Sequence, residues 1–295
     1  MKENKSNYKF KDIFCVINSK GGVGKSTVSM QVIAPALYLN NPDKKITVWE
    51  IDNNNKSNKH ISSKYLKYES IKLDKSEMAI NDIEFSNLTD PNTIHVVDTG
   101  GSGDATKILA HLKQVELTGL QYIIPTNEDM DQIDNIITII DIIRQQDKFA
   151  KIYLLLNRCV SLTEEKIKNQ FINVFGSKEL GIKSQIEHLQ IDEILFIENS
   201  IVYTLLKSHY KIAMLDFYFE SLDLRENIQE YKVQWGQQGH EIFTANSNKF
   251  KFSNLVLDLI EKLEPIITSP INNLNYSIIL YGKNRCKKII TQRVV

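Results

Sequence analysis

Cysteine is scarce in this sequence, and the three present, Cys15, Cys159 and Cys286, stand far apart with no C-x-x-C spacing. That argues against a disulfide framework and against a thiolate metal cluster, and it fits reduced thiols in a cytoplasm. Net charge is lacking too. The 36 Lys and Arg balance the 36 Asp and Glu, which excludes a globally basic nucleic-acid binder but leaves room for a local basic face. No uncharged apolar run is long enough to span a bilayer: the most apolar stretch, 136–143, contains Asp141. The first ten residues, M-K-E-N-K-S-N-Y-K-F, have no apolar core of the kind a signal peptide needs. Beyond Pro265 acidic residues are missing altogether, while Lys283, Arg285, Lys287, Lys288 and Arg293 are interleaved with Tyr281, Ile289 and Ile290.

What remains is ordinary for a folded chain: 295 residues, 42% hydrophobic and 24% charged, enough for one large α/β domain or two small ones. Residues 13–17, I-F-C-V-I, read as a buried strand, and Val28, Val32, Ile33, Ala36 and Leu37 recur at helical spacing. Between them lies N-S-K-G-G-V-G-K-S-T, residues 18–27. A glycine-rich turn from strand to helix suits a phosphate, because glycines let successive N–H groups converge on the anion and the helix N-terminus adds partial positive charge. Lys25 is then expected to reach the β- and γ-phosphates and the Ser26 hydroxyl to ligate Mg²⁺. A glycine turn with two chance lysines is the competing reading, and the strand before and helix after argue against it. Pro35 falls inside this helix and should kink it unless residues 29–33 absorb the lost hydrogen bond.

The loop departs from G-x-x-x-x-G-K-[ST] by carrying Ser19 in place of the first glycine and by the added Lys20. In this form, K-G-G-V-G-K-S-T, it resembles the deviant Walker A loop of the ParA/MinD family of ATPases. The resemblance implies binding of ATP and Mg²⁺ through Gly21, Gly22, Val23, Gly24, Lys25, Ser26 and Thr27, with Lys20 crossing a dimer interface to the phosphates held by the other subunit. Residues 46–49 read as a second strand running into E-I-D-N-N-N. In that family the place carries D-x-D, whose second carboxylate orients the attacking water; Asp52 occupies that position, Glu50 replaces the first Asp, and Asn53 stands where a partition ATPase usually has Pro.

Residues 93–101, T-I-H-V-V-D-T-G-G, deliver Asp98 to a glycine turn in the Walker B manner, so that Asp98 supports the metal shell through water or accepts from Ser26. D-T-G-G is also similar to ParA-like proteins of plasmid partition and transfer. His95 reads as a structural histidine. Residues 56–76 are polar and lysine-rich: a solvated loop, or a basic patch of Lys56, Lys59, Lys64 and Lys67. A weak helix is expected over 77–88, strands over 120–125, 152–156 and 193–197, a helix over about 129–146, and another from about 200 through Lys207. Asn157 follows the strand over 152–156. A side-chain amide there can pair with adenine, as the resemblance implies, or cap a turn. Residues 216–251 are hard to place, and 255–263 form an amphipathic helix.

Strands alternating with helices, and a phosphate loop after the first strand, specify a doubly wound, mostly parallel α/β sheet with helices on both faces, the P-loop NTPase class. The division expected is an ATPase domain over 1–265 and a basic tail over 266–295. The tail has three open readings: a DNA contact, a membrane-seeking helix or a terminus without a role. The resemblance implies a cytoplasmic ATP hydrolase with slow turnover, homodimeric with ATP. It would serve DNA partition or transfer, with non-specific DNA and a ParB-like or other stimulating protein as partners, membrane being the less expected one. The alternatives are a MinD-like membrane-associated positioning ATPase and a nucleotide-gated scaffold with negligible turnover.

Overall fold

The computed structural model describes residues 12–52, 62–101, 103–186 and 188–263. Asn53, Lys56, Lys59 and the basic tail therefore lie outside the described residues. Seven strands form one sheet in the order β3-β2-β4-β1-β5-β6-β7, and every pairing is parallel. They are β1 (Ile13–Val16), β2 (Lys45–Ile51), β3 (Leu66–Ile71), β4 (Thr93–Thr99), β5 (Gln121–Thr126), β6 (Lys151–Cys159) and β7 (Glu193–Glu198). The apolar runs of β1, β5 and β6 are long because these central strands bury both faces. Alternate residues of β1 separate cleanly: Ile13 and Cys15 join one core, Phe14 and Val16 the other.

The first core is roofed by α3 (Ser76–Thr89), α4 (Gly103–Gln114) and α5 (Gln132–Gln146), with α6 (Glu164–Gln170) and α7 (Ile172–Phe175) beyond them. Ile136, Ile140 and Ile143 of α5 point into it, as their helical spacing requires. The second core is roofed by α1 (Lys25–Val28), α2 (Ala34–Asn40), α8 (Ile201–Leu205), α9 (Met214–Glu226) and the C-terminal half of α11 (His240–Lys262). The molecule is thus the doubly wound α/β fold expected. Between α1 and α2 the backbone takes one π turn, Ser29–Ile33, which places Pro35 in the first turn of α2 where its missing N–H costs least. In that turn Gln31 is buried and accepts from the Met214 N–H at 3.0 Å, which ties the helix after the phosphate loop to α9.

One expectation needs correction, and two stretches that the sequence left unread are helical. Residues 66–71 are not loop but the edge strand β3, where Leu66 is its one buried residue and Lys67 is paired along the edge with Glu69 at 2.9 Å. The basic patch loses Lys67 to that pair. A helix unforeseen in the sequence, α4, follows β4. Finally, 216–251 is helical almost throughout: α9 runs into α10 (Ile228–Gln237), which lies along α11.

Candidate functional site

Strand β1 ends in the centre of the sheet, and the loop that leaves it is anchored before it turns. The Ile17 N–H donates to the Ile123 carbonyl at 2.9 Å, and the buried Asn18 amide donates to the Pro125 carbonyl at 2.9 Å. The Asn18 carbonyl oxygen then accepts from the Lys20 N–H at 2.9 Å, closing an Asx turn that starts the loop. Gly22 and Gly24 have φ of +78° and +89°, a region that side chains with a Cβ rarely adopt. At Gly24 space matters as well, since a Cβ would lie 2.4 Å from the Asn157 amide nitrogen. Among the described residues none accepts a hydrogen bond from the N–H groups of Gly21, Gly22, Val23 or Gly24.

Lys25 opens α1 and is buried, its ammonium donating to the Lys20 carbonyl at 3.0 Å. Burial lowers its pKa, and the charges of Asp98, Asp52 and Asp104 oppose that shift. Ser26, Thr27 and Lys20 are half-buried at the mouth.

Asp98 and Glu50 sit opposite one another in the β2–β4 register, so both carboxyls project to the face that carries α1. Burial raises the Asp98 pKa to about 7; the nearby Glu50 adds to the rise, and the Ser26 and Ser29 hydroxyls and Lys25 counter it. Neither Asp98 oxygen is closed by a hydrogen bond of good geometry among the described residues. A buried carboxylate with open oxygens beside a serine hydroxyl and a lysine has the chemistry of a cation's outer shell. No group of three or more His, Cys, Asp or Glu among the described residues is arranged to hold a metal unaided. Beyond Asp98, the Thr99 hydroxyl donates to the Val16 carbonyl at 3.1 Å. A Cβ on Gly101 would be 3.5 Å from the Gly21 Cα, so the β4 loop lies directly against the phosphate loop. Asp52 follows β2, with its N–H donating to the Ile71 carbonyl of β3 at 3.2 Å.

At the end of β6 the Asn157 amide, almost wholly buried, donates to the Val23 carbonyl at 2.7 Å. This amide therefore braces the loop, whichever group its remaining atoms meet. The fold brings Lys20–Thr27, Glu50, Asp52, Asp98 and Asn157 to one edge, the C-terminal ends of β1, β2, β4 and β6. His95 lies apart, buried and accepting from the Trp49 indole N–H at 3.1 Å, and burial drops its pKa to about 4 despite the charges of Asp90 and Asp12. It is structural as expected, although its Nε2 finds no acceptor among the described residues. Sequence reasoning passed over Arg158, whose guanidinium donates to the Gly22 carbonyl at 3.2 Å; its only signal was its place after Asn157.

No family model matches the chain, and no curated protein is detectably similar to it. Solved structures do resemble it. A plasmid partition protein of Borrelia burgdorferi, crystallised with AMPPNP, aligns over 65% of this chain and 88% of its own at 16% identity and a TM-score of 0.41. A ParA family ATPase of Chlorobium tepidum aligns over 84% and 97% at 14% identity and a TM-score of 0.38. A LAO/AO transport system kinase aligns over 87% and 69% at 11% identity and a TM-score of 0.35.

Proposed function

We propose that the chain is a ParA-like, cytoplasmic ATPase in which ATP acts as a dimerisation switch. The observation that carries this reading is the loop itself. K-G-G-V-G-K-S-T stands between a central parallel strand and a helix, with its glycine N–H groups meeting no acceptor among the described residues and Lys25 buried at its base. Such a cradle binds a polyphosphate through backbone N–H groups and a helix N-terminus.

In this reading the Lys25 ammonium exchanges the Lys20 carbonyl for the β- and γ-phosphate oxygens. Ser26, backed by Asp98, holds Mg²⁺, which when bound offsets charge on the phosphates. Asp52 orients the attacking water, and Thr27 and the Asn157 side serve the nucleotide. Lys20, at the mouth, supplies charge to the nucleotide of a second copy. The dimer then acts in partition or transfer of DNA, with non-specific DNA and a ParB-like or other stimulating protein as partners. A second reading, a nucleotide-gated scaffold with negligible turnover, draws support from Glu50, which puts a second buried carboxyl beside Asp98 where an Asp is usual. Phosphate release with DNA and partner present separates the two.

The test is Lys20→Ala. ATP-dependent dimerisation, followed by light scattering with ATP and Mg²⁺, is lost, while one-to-one nucleotide binding by the monomer stays within about threefold, roughly 0.7 kcal/mol. Equal dimerisation of wild type and variant rejects the trans role of Lys20 and the switch with it.

A further inference from the structure

We infer that Arg158 is a positioning residue for the phosphate loop: with Asn157 it forms a two-pronged brace that fixes the loop's peptide planes toward the nucleotide. This rests on the nucleotide-binding reading above and names a residue that reading does not use.

The starting point is a side chain on the wrong face. Along β6, Leu154 and Leu156 enter the core under α5, whereas Tyr153 and Leu155 enter the core under α1. Alternation puts Asn157 on the α1 side, beside the loop, and would send Arg158 to the α5 side. It does not go there. The β6–β7 register holds through Leu156 opposite Phe196 and resumes at Cys159 opposite Glu198, so two β6 residues face one of β7. That is a β-bulge, a device that re-aims side chains. Within it Arg158 takes φ of +62°, left-handed backbone that a residue with a Cβ adopts at a cost.

The strained residue is held in place from α6. The Gln170 side chain donates through Nε2 to the Arg158 carbonyl at 3.0 Å and accepts through Oε1 from the Val160 N–H at 2.9 Å, bracketing the bulge. Its outcome is that two consecutive side chains reach one loop: Asn157 donates to the Val23 carbonyl at 2.7 Å and Arg158 to the Gly22 carbonyl at 3.2 Å. In a planar trans peptide the N–H points opposite the C=O. Drawing these two carbonyls toward β6 therefore turns the N–H groups of Val23 and Gly24 the other way, into the cradle. A guanidinium suits the outer prong, because its planar fork loses little freedom in bonding.

The experiment compares Arg158→Gly, Arg158→Lys and Gln170→Ala in the full chain. Readouts are the dissociation constant for a fluorescent ATP analogue with Mg²⁺, steady-state KM and kcat, and the melting temperature. Gly relieves the left-handed strain while deleting the guanidinium, so Arg158→Gly melts no lower than wild type yet binds about tenfold more weakly, as loss of a charge-assisted hydrogen bond entails. The loss falls on KM more than on kcat, since the loop holds the nucleotide in ground and transition states alike. Arg158→Lys regains most of the affinity. Gln170→Ala weakens binding in the same sense and adds little to Arg158→Gly. If wild type binds the analogue and Arg158→Gly binds it equally well, the brace is wrong and the nucleotide reading stands. If wild type binds no triphosphate, both fall.

Discussion

At the scale of the residue, burial without compensation is the recurring theme. His95 lies 1% exposed and is held neutral by its surroundings, its pKa lowered to about 4. In the unfolded chain it titrates near 6.5. A base whose folded pKa is depressed gives its full support above the unfolded value and loses it as pH falls through the folded one. Stability should therefore decline between about pH 6.5 and pH 4, by up to about 3 kcal/mol from this group alone. His95→Gln keeps an acceptor for Trp49 and removes the titration; its melting temperature should fall less than that of wild type over this window. Parallel decline of the two proteins would assign the acid sensitivity elsewhere.

The site residues were legible at this scale because motif chemistry is local. Lys20–Thr27 and Asp98 follow strands whose apolar runs are read directly, so their meeting at one sheet edge needed only the alternation of strands and helices. Asn157 was half legible: its position at a strand end was evident, its bond to the Val23 carbonyl was not. Arg158 was illegible, because a bulge and a positive φ decide its direction and neither leaves a mark in a sequence that lacks glycine there.

At the scale of the element, two of those missed have only one thin buried stripe. β3, L-K-Y-E-S-I, buries Leu66 and pairs with a single neighbour, so it carries little of the apolar alternation that betrays a strand. Helix α10 is the extreme case: Trp235 is its one buried residue, stacked on Tyr231 with ring centroids 5.9 Å apart. Trp235→Ala should cost about 3 kcal/mol at that helix, from lost apolar burial and an unfilled space. Because α10 touches mainly α9 and α11, the effect should be local. Hydrogen exchange is expected to speed up over 228–251, while nucleotide affinity is unchanged. A global drop in stability matching the local one would show that the hairpin of α10 and α11 is integral to the core. Chain entry into β3 is also pinned from this side, since Asp216 at the start of α9 accepts from the Ser63 hydroxyl and, at 2.8 Å, from the Lys64 N–H.

For the whole molecule, the proposed switch turns on two copies closing over the C-terminal edge of the sheet. Asp52 stands at that edge, and in the proposed cycle it acts after the dimer has closed. Asp52→Ala should then lock the closed form: ATP-dependent dimers persist in size-exclusion chromatography, and phosphate release falls at least about a hundredfold, within the range for loss of a group that positions a nucleophile. Unchanged hydrolysis would remove Asp52 from its role. Class and topology at this scale were readable because an all-parallel sheet needs a crossover helix between strands, and the chain repeats that rhythm. The number of strands was not, since the β3 edge is nearly silent.

The position of β1 sets an order of events during synthesis. Its neighbours are β4 and β5, which begin 77 and 105 residues beyond the end of β1 (93 − 16 and 121 − 16). At roughly 5–20 residues per second, a ribosome needs on the order of 10 s to deliver both. Until β5 is made, β1 lacks one flank and the loop it carries lacks its anchors at Ile123 and Pro125. In the proposed function, the capacity to capture a nucleotide thus waits on residues made well after the loop that confers it.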